Sequence, residues 1–318
     1  MKFPIFLACM AAGCMLAAAD FRGSELFDRN RIVPEGMGVN IHFFDHESGM
    51  DALKSLDMRW LRMDITWDRV EREKGVYDFS QVDKLMNDAK ARGLRVLAII
   101  DYANKLYEPE QKVISEAGRR AYSAYAAALV RRYAGHDVIW EIWNEPNNSG
   151  FWPGNDPGEY MELVKAAVPA MREADPQAVI LGPSAYRVAP EYMEACFKAG
   201  LFDYVDAVSF HPYRRHRPEE VLDDVAVLRE LMRKYRGPGR ELPPIVCDLF
   251  AFEPPLLEAF FDQQSAEELA GQCVRGLLLH DFGANIIQDA LGDPAAFTGI
   301  GVLRKRLTEK FISVFSPG

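Results

Sequence analysis

The chain has 318 residues, is 49% hydrophobic and 26% charged, and carries a formal charge of −10. Such a composition is that of an ordinary globular protein. An acidic chain with no basic stripe has little to set against phosphates, which argues against a nucleic-acid or polyanionic partner. No repeat or low-complexity tract divides the chain, so its length implies one large domain.

Residues 1–19 read as an export signal: Lys2 is the basic start, Ile5 to Leu16 the apolar core, and Ala17-Ala18-Ala19 a small-residue cleavage site. The stretch is too short to span a bilayer. Ala12-Gly13-Cys14 offers a competing reading, a lipid anchor at Cys14. Residues 20–35 form a lead-in to a domain over 36–318. Beyond the leader remain Cys196, Cys247 and Cys273, an odd number that allows one disulfide and requires none. Cys247 and Cys273 lie in predicted core elements and read as small buried hydrophobes.

From residue 36 strand-like and helix-like segments alternate, as in a parallel sheet with helical crossovers. The first strand is predicted at 38–42, followed by a helix over 48–56 and a second strand at 60–65. Helix 80–92 places Val82, Leu85 and Ala89 at helical spacing and ends at Gly93. Strand three, 95–100, is nearly all apolar, as befits a strand buried on both faces. Helix 116–133 leads to strand four at 138–143, helix 157–174 to strand five at 178–181, and helix 190–198 to strand six at 207–210. Helix 218–235 leads to strand seven at 245–248, and helix 265–281 to strand eight at 284–288. Eight strands with their connections predict a (β/α)8 barrel, for which about 250 residues suffice.

In such a barrel the chemistry sits at strand C-termini. Strand four ends Val138-Ile139-Trp140-Glu141-Ile142-Trp143-Asn144-Glu145-Pro146-Asn147, and Pro146 stops the run. Glu145, a carboxylate at the tip of an apolar strand, is suited to general-acid work. Side-chain alternation puts Glu141, Trp143 and Glu145 on one face, with Glu141 inside the barrel and in need of a partner, for which Arg62 is a candidate. Arg62 itself lies between apolar neighbours on strand two and so requires a buried anion. His42 on strand one, Asp101 on strand three, and His211 and Tyr213 at strand six all stand at strand ends, where a substrate contact is expected. Trp152 is expected to supply a stacking platform. Nothing resembles a glycine-rich phosphate loop or a metal-ligand cluster, and no cofactor is expected.

The WNEPN segment, the GFWPG that follows and the order of the other motifs resemble the clan of (β/α)8-barrel glycoside hydrolases over roughly 36–315. The likeness is greatest to family 39 and more distant to family 5. The resemblance implies an oligosaccharide or polysaccharide substrate and a retaining mechanism with Glu145 as acid/base. It implies that Asn144 binds the hydroxyl beside the anomeric carbon, that Arg62 holds the nucleophile ionised, and that His211 and Tyr213 touch sugar and nucleophile. Two positions depart from the pattern. Asp248, in Cys247-Asp248-Leu249-Phe250, stands where a glutamate nucleophile is expected, and Glu253 is a possible substitute. Gln288 stands where strand eight usually carries a tryptophan. Two readings therefore remain: an exported glycosidase, or an inactive barrel that binds glycan.

Overall fold

The computed structural model describes residues 38–42, 44, 47–55, 58–213 and 221–247. Its strands are β1 (Gly38–Asn40), β2 (Trp60–Thr66), β3 (Arg95–Asp101), β4 (Val138–Ile142), β5 (Val179–Tyr186), β6 (Ala207–His211) and β7 (Ile245–Cys247). They form one parallel sheet in chain order. Between them lie α1 (Glu47–Ser55), α2 (Trp67–Val70), α3 (Ser80–Arg92), α4 (Glu116–Arg132), α5 (Pro157–Ala174), α6 (Pro190–Lys198) and α7 (Val221–Arg236). This is the first seven-eighths of a (β/α)8 barrel, as the alternation of patterns predicts. The eighth strand, the helix before it and the leader lie outside the described residues. No helix among the described residues is long and apolar enough to cross a membrane.

The helix boundaries have local causes. Asp156 caps α5 by accepting from the Gly158 and Glu159 amides, and Pro157 begins the helix where no N–H is needed. Ser115 caps α4 through the Gly118 amide at 2.9 Å. Gly93 closes α3 at φ 70°, returning its N–H to Ala89 and Lys90. The sequence pattern does not show the short α2, which begins directly at the end of β2.

Two apolar layers hold the sheet. Inside the barrel, Leu97, Ile99, Ile139, Val179, Leu181 and Ala207 pack together. Alternate residues of the same strands, such as Val96, Ala98, Ile100, Ile180 and Val208, face the helices in the larger cluster. Register carries polar groups into the interior. Asn40, Arg62, Leu97, Ile139 and Val179 are aligned across five strands, and Asp64, Ile99, Glu141, Leu181 and Ala207 form the next layer.

Tyrosines from the helices reach the strand tips from behind. Tyr125 Oη donates to the Ile65 carbonyl at the end of β2, and Tyr122 Oη to the Ile100 carbonyl of β3. Tyr160 Oη donates to the last carbonyl of β4, Ile142, at 3.1 Å. The third of these contacts passes over Gly182 of β5. A methyl group added at Gly182 would lie 2.7 Å from Tyr160 Oη. Gly182→Ala is therefore expected to cost about 1–3 kcal/mol as overpacking, read as a lower thermal midpoint. An unchanged midpoint would show that Tyr160 yields freely.

Candidate active site

β4 ends at Ile142, two residues before Asn144. The chain then takes left-handed backbone at Trp143 (φ 67°) and Glu145 (φ 48°). The alternation expected to place Glu141, Trp143 and Glu145 on one face breaks here. Glu141 points into the barrel, while Trp143 turns into the outer cluster, edge-on to Trp152 with ring centroids 4.9 Å apart. The backbone is held by Trp143 N–H to the Ile100 carbonyl and Glu145 N–H to the Ser184 carbonyl, both at 3.1 Å.

Trp152 also departs from expectation. It is fully buried between Trp143 and Tyr160, and its Nε1 donates to Glu159 at 3.1 Å. A ring with no exposed face cannot stack on a sugar, so Trp152 supports the Trp143 turn instead.

The centre of the site is the Arg62 guanidinium. It is buried, and its Nη2 lies 2.9 Å from Glu141 Oε2, 3.0 Å from Asn144 Oδ1, 3.2 Å from His211 Nε2 and 3.3 Å from Ser184 Oγ. Nη1 donates to Asn40 Oδ1 at 3.3 Å. Asn40 Nδ2 in turn donates to His42 Nε2 at 3.1 Å. His42, half exposed at the rim, also approaches Asp64, with 3.7 Å between Nδ1 and Oδ2. Asn144 is fixed at both ends of its amide, since Nδ2 donates to the Tyr102 hydroxyl at 3.1 Å.

Glu145 lies against this centre. His211 Nδ1 is 2.6 Å from its Oε1, and Asn148 Nδ2 donates to its Oε2 at 2.9 Å. The turn that brings Asn148 back is closed by its own N–H to the Glu145 carbonyl at 2.9 Å. Tyr213 packs edge-on to His211 and against Tyr186, with centroids 5.8 and 5.2 Å apart. The structure thus brings together Arg62, Asn144, Glu145, His211 and Tyr213, with His42 joined through Asn40. Asp248, Glu253 and Gln288 lie outside the described residues. Sequence reasoning missed Ser184, Asn40 and Asn148. Asn40 was accessible from its register beside Arg62, and Asn148 from its place three residues after Glu145, where a turn returns. No sequence signal marks Ser184.

Asp101 is buried completely, and among the described residues neither of its oxygens has a hydrogen-bond partner. A side chain with no exposed surface does not offer the substrate contact expected of it. Burial, and then the Asp64 charge, push its carboxyl well above the usual carboxylate range. Burial likewise raises the Tyr102 phenol well above its ordinary value.

A family model described as cellulase, glycosyl hydrolase family 5, matches residues 22–234. The chain belongs to this family. Among curated proteins, it is 26% identical over 204 residues to a β-xylosidase of Geobacillus stearothermophilus, covering 54% of this chain and 40% of that protein. It is 32% identical over 111 residues to a β-xylosidase of Caldicellulosiruptor saccharolyticus, covering 34% of this chain and 21% of that one. The family 5 member thus spans less than half the length of these curated relatives. Among solved structures, a family 39 glycoside hydrolase of Bacteroides cellulosilyticus WH2 superposes with a TM-score of 0.66 at 19% identity, covering 78% of this chain and 55% of that one. A GH39 β-xylosidase of Caulobacter crescentus gives 0.61 at 20%, covering 85% and 64%. The match thus falls to the family 5 model, while family 39 structures share the fold, which is the pair of likenesses that the motif order carries.

Because burial raises the Asp101 carboxyl in the fold above its unfolded value of about 4, folding takes up a proton at pH values between the two. Its contribution to stability is full below the unfolded value and declines as pH rises toward the folded one. Asp101→Asn is expected to flatten that decline and to stabilise the protein near neutrality, measured by urea unfolding at about pH 5 and about pH 8. Equal slopes in the two proteins would show Asp101 to be ionised in the fold.

Proposed function

We propose that this family member is an exported glycoside hydrolase that cleaves O-glycosidic bonds with retention, Glu145 acting as acid/base and Asp248 in the nucleophile position. The observation that carries the reading is the Glu145 carboxyl, nearly buried, hydrogen-bonded on both oxygens by His211 and Asn148 and anchored beside an Arg62–Asn144 pair. The leader over 1–19 supports export, with Cys14 as the alternative lipid anchor.

The chemistry follows from the donors. In a first step Glu145 gives its proton to the leaving oxygen, and the resulting carboxylate is stabilised by the imidazole and amide N–H groups already aimed at it. As the leaving oxygen departs, the Asp248 carboxylate takes its place on the anomeric carbon; in a second step the Glu145 carboxylate takes a proton from a water whose oxygen bonds that carbon and releases Asp248. The Asn144 amide, clamped by Arg62 and Tyr102, is preorganised to hold a sugar hydroxyl whose hydrogen bond strengthens as charge develops on the ring. Support for Asp248 comes from its place in the chain, directly after β7, whose Val246 packs on the interior cluster. An aspartate arm is shorter than a glutamate arm by about 1.5 Å, a C–C bond. Retaining enzymes hold their carboxyls about 5–5.5 Å apart and inverting ones about 6.5–9.5 Å. The shorter arm is the feature that favours the second reading, a barrel that binds glycan without cleaving it.

The curated relatives make β-xylosides the first substrates to assay. Glu145→Gln is expected to lower kcat/KM on a phenyl β-xyloside by about 100-fold or more. The loss on a dinitrophenyl β-xyloside, whose leaving group departs without protonation, should be far smaller. Equal losses on both would remove Glu145 from the acid role. Asp248→Glu is expected to raise the rate. No gain there, with loss of activity in Glu253→Gln, would move the nucleophile to Glu253. Glycan-induced thermal shifts without turnover of any glycoside would establish the binding reading.

A further inference from the structure

β5 carries an irregularity that no motif announces. Gly182 pairs with Val208 and Ala185 with Phe210, so three steps on β5 oppose two on β6. Val208, Ala185 and Phe210 all face the helices. The extra residue is accommodated at Pro183-Ser184, where Ser184 takes φ 55°. A bulge re-aims side chains, and this one turns the fully buried Ser184 hydroxyl toward the barrel centre, 2.9 Å from His211 Nε2. The conformation is held on both sides. Ser184 N–H donates to Ser209 Oγ at 3.0 Å, and the Ser184 carbonyl accepts from the Glu145 N–H at 3.1 Å.

The directions of these bonds decide the state of His211. Arg62 Nη2 has two protons and only donates. Its nearest acceptors among the described residues are Glu141 and Asn144, at 2.9 and 3.0 Å. His211 Nε2 and Ser184 Oγ stand further off, at 3.2 and 3.3 Å. A proton on Nε2 would point at a guanidinium, whereas a lone pair there faces donors. Ser184 is the nearest such donor among the described residues. With Nε2 as acceptor, the imidazole proton resides on Nδ1, directed at Glu145 Oε1 2.6 Å away.

We propose that Ser184, presented by the β5 bulge, is a positioning residue that holds His211 in the tautomer whose Nδ1–H faces Glu145. The proposal rests on the reading of Glu145 as acid/base for its kinetic consequence, though not for its structural one. The tautomer matters because the opposite form would aim a lone pair at the Glu145 carboxylate in the step where that carboxylate needs a donor.

The test uses Ser184→Ala and Ser184→Gly in the full chain. Both remove the hydroxyl, but glycine also relieves the positive φ, so a defect caused by backbone strain would differ between them. Nitrogen NMR of histidine-labelled protein, with His211 assigned through His211→Asn, reads the tautomer directly. Wild type is expected to show Nδ1 protonated and Nε2 bare, and both variants a mixture with protonated Nε2. On a phenyl β-xyloside both are expected to lose about 10-fold in kcat with KM nearly unchanged. An unchanged tautomer in both variants overturns the proposal, as does a kcat loss in alanine that glycine restores. The nitrogen spectrum requires no turnover. A shifted tautomer therefore supports Ser184 even if Glu145→Gln shows that another group is the acid.

Discussion

Among the described residues, one positive charge sits inside the barrel, at Arg62, and the site is arranged around satisfying it. Burying a guanidinium is expensive unless every donor finds an acceptor. Arg62 finds acceptors in Asn40 from β1, Glu141 from β4 and Asn144 from the turn after β4, and Ser184 from β5 and His211 from β6 close around Nη2 within 3.3 Å. Four walls of the barrel are thereby registered to one planar group carried by a fifth. Such an ion pair is weak evidence for stability. Its value here is geometric, since no member can move without uncovering a charge in an apolar layer formed by Ile99, Ile139 and Leu181.

Three residues of the site sit where regular backbone has stopped. Trp143, Glu145 and Ser184 all hold positive φ, and each such residue costs about 1–3 kcal/mol. The cost is offset nearby. Trp143 drives its ring into Trp152 and Tyr122, and the Glu145 and Ser184 backbones hydrogen-bond each other. Rigidity obtained this way keeps the donors around Glu145 in fixed directions.

Much of the scaffold was legible because its elements obey local rules. The apolar run at 95–100 reads as a strand enclosed on both faces, and α5 announces itself with Asp156-Pro157. Glu145 and His211 were legible for a related reason, since a polar residue that ends an apolar strand is at the barrel mouth. What escaped was whatever depends on departure from regularity. Alternation assigned Trp143 to the wrong face because nothing in the sequence marks a positive φ at a tryptophan. Trp152 looked like a platform because an aromatic after WNEPN carries no label separating a wall from a buttress. Ser184 was invisible because a bulge is a relation between two strands. Asp101 was placed at the correct strand end, yet burial removes it from the surface, a matter of what covers it.

The tyrosines of α4 and α5 have a further consequence. Tyr125, Tyr122 and Tyr160 tie carbonyls at or one residue before the ends of β2, β3 and β4 to helices on the far side of the sheet. Each strand's stopping point is thus anchored from the rear, independently of the segment that departs from its front. Evolutionary turnover in those segments, by insertion or exchange, then leaves the origin of Arg62, Asn144 and Glu145 in place. The architecture separates what a descendant may alter at the rim from what it must inherit to keep these side chains assembled.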